Sequence, residues 1–149
     1  MQLLLGEAEK SLENNREMHR QMTTMYDAAQ IAHGVRMQNE DLTEEEKSET
    51  DLILLGMHRE LGGLAALIKL KEEIVEKSAH YYDLLSHVES IANNGGNAEE
   101  ILTEEEARDM VKDLMSDMKI VTQRQDELMD LVKSNNDQRQ DFLKRHRPL

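Results

Sequence analysis

The sequence contains no cysteine and no tryptophan, and only one phenylalanine and one proline. Without cysteine there is no disulfide framework, no thiolate metal site and no thiol nucleophile. An intracellular setting, cytoplasmic or nuclear, is the expectation. With aromatic residues at 3%, a compact α/β or β-sandwich core lacks its usual bulk. The single proline is the penultimate residue, so no proline interrupts a helix in the interior. No apolar run approaches the ~18 residues of a membrane span. The opening MQLLLGEAEK lacks the length and basic leader of a signal peptide. Positive charge is scarce as well. A net charge of −13 suits neither a nucleic-acid backbone, which needs clustered cations to displace counterions, nor an anionic membrane surface. The local exception is FLKRHRPL, where Lys144, Arg145 and Arg147 either complement a helix C-terminus or form a small basic patch for an acidic partner.

What the chain does have is charge (33%) and aliphatic side chains spread over 149 residues, the composition of long helices. The pattern predicts helices over about 2–38, 44–92 and 104–146, with turns at about 39–43 and 93–103. The fold class is therefore all-α: an elongated three-helix up-down-up bundle or coiled coil, read as one unit over 1–149. Each helix is on the order of 40 residues and hence ~60 Å long. Such a bundle has much surface for little core, so completion by helices of a partner or a second copy is expected.

The first helix carries Leu5, Ala8 and Leu12, then a seam of Met18, Met22, Met25, Ala29 and Ala32, with Val35 slightly off phase. The frame changes at Asn14–Asn15–Arg16, a stutter rather than a break. The second helix bears two seams side by side. Met57, Leu61, Leu64, Ile68, Val75, Tyr82 and Leu85 form one; Leu67, Leu70, Ile74, Tyr81, Leu84, Val88 and Ile91 form the other. Their members lie about 100° apart, so this helix should touch two neighbours. NNGGN at Asn93–Asn97 is a strong stop. The third helix has a seam of Ala107, Val111, Leu114, Met118, Val121, Gln125, Leu128 and Val132, turning polar at Asn135 and Arg139 before Phe142. Polar seam residues select register and partner number, and the last turns are expected to splay or to await a partner.

LTEEE occurs at Leu42–Glu46 and at Leu102–Glu106. The flanking residues do not match, so it is not a duplicated module. In both copies the spacing fits a Thr-x-x-Glu capping box, with Thr43 and Thr103 as caps and the glutamate reaching back to the threonine N–H. It also resembles the start of an EF-hand protein, but no calcium loop follows.

Few residues suggest chemistry. Glu76, His80, Asp83 and His87 share one helical stripe and are a metal-ligand candidate of the outside kind, with a local Glu76–His80 pair as the plain reading. There is no Glu-x-x-His, no His-Glu-x-x-His and no phosphate loop. Neither enzymatic activity nor a cofactor nor a small-molecule substrate is expected. The 10 methionines serve either as gap-filling core or as an adaptable groove for a partner helix. Gly62–Gly63 in ELGGLAAL is a close-packing spot or a hinge.

In architecture the chain resembles helical subunits of multi-protein assemblies: kinetochore, vesicle-tether or spindle coiled-coil components. It also resembles three-helix regulatory domains such as those preceding syntaxin SNARE motifs. The tryptophan of a spectrin-type repeat is absent. The first resemblance implies a non-enzymatic scaffold or adaptor subunit that packs its helices with partner helices. The second implies a self-contained bundle presenting a groove to a peptide. Leu64, Ile68, Val75, Tyr82, Leu85, Leu128, Val132 and Phe142 are the candidate core or partner-binding residues. An uncapped first helix and an ending just after a basic turn are compatible with a longer parent protein.

Overall fold

A computed structural model describes residues 2–39 and 41–146; Arg147 of the basic patch lies outside them. Among the described residues the fold is all-α, a three-helix bundle without strands. Helix α1 spans Gln2–Met37, α2 Glu44–Asn93 and α3 Glu104–His146, each within a residue of the predicted bounds. A 3₁₀ turn at Ala98–Glu100, opened by the Asn97 side chain accepting from Glu99 N–H, was not legible in the expected loop.

The helix ends follow from local chemistry. Thr43 Oγ1 accepts from Glu46 N–H at 3.1 Å, and Thr103 Oγ1 from Glu106 N–H at 3.1 Å. Each glutamate carboxylate takes the threonine O–H, at 3.3 and 3.1 Å respectively, instead of reaching the threonine N–H. The boxes therefore close through the hydroxyl. At the end of α2, Gly96 N–H reaches Ile91 C=O at 2.9 Å and Gly95 N–H reaches Ala92 C=O at 3.2 Å. Gly95 holds φ at +82°, the left-handed conformation that this paired motif requires.

The chain divides into two compact units, each with a segment of all three helices. Unit 1 comprises residues 1–14 and 67–124; unit 2 comprises 15–66 and 125–149. The boundary crosses α1 at the Asn14–Asn15 stutter and α2 just after GGLAA.

In unit 1, Leu12, Leu67 and Leu102 are buried. Lys71, itself buried, donates to Ser11 Oγ of α1 at 2.9 Å. Lys77 Nζ is bracketed by Asp113 at 2.8 Å and Asp117 at 2.7 Å on α3, and Tyr81 donates to Asp113 at 3.0 Å.

In unit 2, Leu64 and Phe142 are buried. Helix α2 runs antiparallel to α3, as Glu49 pairs with Arg145, Gly56 with Asn135 and Gly63 with Leu128. The Asn135 amide donates to Gly56 C=O at 2.9 Å, and Arg139 approaches the buried Glu60 at 3.9 Å. The polar seam residues are thus used inside the unit. The final turns do not splay either: Phe142 is buried under the Arg36 guanidinium, and Arg145 grips Glu49 through two hydrogen bonds. The acidic group that Arg145 meets is in its own chain.

Two seams need correction. On α1, Met18, Met25 and Val35 are 48%, 62% and 67% exposed. The covered stripe through this part of α1 instead includes Asn15, His19, Met22, Tyr26, Ala29, His33 and Arg36. Tyr26 and His33 decide this rotation, because each has a specific partner on α2. Tyr26 packs its ring 5.7 Å from His58, and His33 Nε2 lies 2.5 Å from Asp51 Oδ1. A ring contact and a directed bond outweigh what a methionine stripe gains from loose burial. On α3, Val111, Met118 and Val132 are exposed, the last at 38%. Bonding to Lys77 draws Asp117 inward beside Met110 and Leu114, which turns Val111 and Met118 out.

Candidate functional site

On α2 both seams are at least half-covered along their length, so the broad face does meet two helices. The breadth has a consequence in unit 1. There α3 is drawn to one side of α2 by the Lys77–Asp113–Asp117 cluster, while α1 is held on the other by Lys71 and Ser11. Between them an apolar groove of about 450 Å³ is left open. Leu5 and Ala8 of α1 form one wall, Ile74 and Ser78 of α2 the floor, and Val111, Leu114, Met115 and Met118 of α3 the other wall. Glu7 stands on the α1 wall as the one ionisable residue among the described lining residues.

Apart from Glu7 on the α1 wall, the fastening charges lie behind or beside the groove. Hydrogen bonds to Asp113 and then Asp117 hold the Lys77 ammonium protonated far above its ordinary range. In return Lys77, and after it Tyr81, holds the Asp113 carboxyl below its ordinary value. Burial, then the bond to Asp113, raises the Tyr81 phenol. Burial pushes Lys71 down. These groups fasten α2 to its neighbours, and beside them the described lining of the slot carries the Ser78 hydroxyl and the Glu7 carboxylate as its polar side chains. Its walls are aliphatic and thioether, suited to apolar side chains.

The sequence candidates divide as follows. Leu64 and Phe142 are buried, and Leu128 is half-buried with its Cδ1 3.0 Å from where a Cβ on Gly63 would stand. Ile68, Val75, Tyr82 and Leu85 are half-buried, and Val132 is exposed. None of the eight lines the groove. The groove lies instead on α3 positions grouped with the core, Val111 and Met118, and on Met115, which no seam included. The signal that points to it is the frequency of methionine, which the sequence allows either as gap-filling core or as an adaptable groove for a partner helix. Gly63 is a packing spot, whereas Gly62 faces open space. Glu76, His80, Asp83 and His87 are all exposed, and the Glu76–His80 pair does not form. His80 instead sits beside the Tyr81 ring at 6.2 Å. Among the described residues no cluster of three or more His, Cys, Asp or Glu is arranged to hold a metal ion, and no helix is long and apolar enough to cross a membrane.

No protein-family model, curated protein or solved structure matches the chain.

Proposed function

We propose that this chain is a non-enzymatic adaptor subunit that works by packing its helices against a helix of another protein, seated in the groove of unit 1. The observation that carries this reading is the groove itself. Three helices supply its apolar walls, and Val111, Met115 and Met118 stand exposed at 50%, 57% and 62% along its edge. Exposed apolar side chains scattered singly need no explanation, but a contiguous set in a concave site does. A helix laid into such a slot buries these side chains at i, i+3/i+4 and i+7 spacing. The Met-rich wall would accept partners of somewhat different shape.

A photo-crosslinking amino acid at Met118, incorporated in cells, tests the reading. Covalent adducts should form with a helical segment of one or a few proteins, mapped by mass spectrometry. The same group at Asp130 of α3, in unit 2, should give far fewer. Equal or absent crosslinking at the two positions overturns the proposal.

The alternative, a self-contained regulatory bundle that uses the groove for a short peptide, differs in its concentration dependence. An adaptor dependent on its assembly loses helicity on dilution, and a closed bundle keeps it.

A further inference from the structure

The two sides of the groove carry different charge, and this specifies the occupant more closely. One residue past Val111 and one past Met118, about 100° further round α3, stand Lys112 and Lys119. They flank Met115 at i−3 and i+4, so they border the groove-lining stripe on its outer side. Both are exposed, and neither takes part in an ion pair among the described residues. Arg108, one turn before Lys112 on the same stripe, is engaged with Glu104 at 2.8 Å. Across the groove the charged residue is Glu7. A chain with net charge −13 therefore presents two uncommitted cations along one edge of its apolar slot and a carboxylate on the other.

We propose that the groove receives an amphipathic α-helix of a partner protein whose apolar stripe is flanked by Asp or Glu on the side that meets α3. This rests on the helix-docking reading above and adds the chemistry and orientation of the partner. From Val111 to Met118 is seven residues along α3, or ~10.5 Å of rise, so the slot accepts about two turns and three apolar anchors. Carboxylates one position outside those anchors fall beside Lys112 and Lys119, as flanking charges do across a helix pair. The net negative charge does not oppose this at close range. At 0.1 M salt, charges more than about 10 Å away are screened, whereas the pairs at the groove edge form in contact.

A second copy is the poorer occupant. Two-fold pairing of α3 with α3 about Met115 would bring Lys112 and Lys119 of one chain towards Lys119 and Lys112 of the other, setting like charges together.

The full chain is presented with a displayed library of helical peptides about 18 residues long, five turns. Leucine is fixed at the three anchors, and each flanking position is drawn evenly from Glu, Lys and Gln. Selected binders should be enriched in Glu over Lys on one flank only. The winning peptide should bind at least about fivefold tighter than its Lys counterpart, as two exposed ion pairs allow. The double variant K112E/K119E, on the exposed surface and checked for unchanged helicity, should reverse that preference while still binding. Binders without a flank preference would overturn this inference and leave the helix-docking reading standing. No binders at all would overturn both. A dimer of the free chain in sedimentation that Met115→Glu dissociates would assign the groove to a second copy and likewise overturn the inference.

Discussion

The two units solve the same packing problem with opposite means. Unit 2 fastens its helices with directed polar contacts between them: Asn135 with Gly56, Arg145 with Glu49, His33 with Asp51. Its helices approach closely, to the point that a Cβ on Gly56 or Gly63 would meet Asn135 or Leu128 at 3.0 Å. Unit 1 concentrates its polar fastening at Lys77 and Lys71 and leaves an aliphatic slot beside them. Directed polar contacts set helix register and exclude alternatives. A bare apolar wall is permissive, and permissiveness is what a docking site needs.

The largest test of this contrast is truncation of one apolar side chain in each unit. Phe142 is 6% exposed, and Phe142→Ala should cost about 3–5 kcal/mol, including the loss of the Arg36 contact. Met118 is 62% exposed, and Met118→Ala should change stability by no more than about 0.5 kcal/mol. Urea midpoints at constant m-value read both. A Met118→Ala loss as large as that of Phe142→Ala would mean that the groove is filled in the free chain.

A smaller effect separates two adjacent glycines of unit 2. A Cβ on Gly62 meets nothing within 4 Å. Gly62→Ala should therefore stabilise by about 0.5–1 kcal/mol through helix propensity and a less flexible unfolded chain. At Gly63 the Leu128 tip must first give way, so Gly63→Ala should gain less or nothing. Equal gains in thermal unfolding would show that the close approach of α2 and α3 is softer than the 3.0 Å contact implies.

Helix number and helix ends were legible because caps and stops are local chemistry: Thr43, Thr103 and Gly95 act on residues within one turn. The breadth of the α2 face was legible for the same kind of reason, since one helix carries both of its own seams. Which stripe of α1 and α3 points inward was not. Met25 and Tyr26 are adjacent, either can head a heptad seam, and the choice rests on His58, 32 residues further along the chain. The groove was illegible on the same ground. It exists because Lys77 rotates α3 through Asp117, a contact across 40 residues, while periodicity alone put Met118 in the core.

The smallest effect compares the two carboxylate clamps under acid. Bonds from Lys77 and then Tyr81 hold Asp113 of unit 1 below the ordinary carboxylate range, and bonds from Arg145 do the same for Glu49 of unit 2. A depressed folded pKa contributes stability above the unfolded value, about 4 for either group, and that contribution fades as pH falls through the lower folded value. Asp113→Asn and Glu49→Gln should therefore melt below the parent chain at pH 7 and converge with it as acid protonates the two carboxylates in the folded chain. The Glu49 side chain is 20% exposed and that of Asp113 is 44% exposed. Solvent screens the second pairing more, so the gap at pH 7 should be wider for Glu49→Gln. A wider gap for Asp113→Asn would show that Lys77, holding Asp113 and Asp117 together, anchors α3 beside the groove more firmly than its exposure implies.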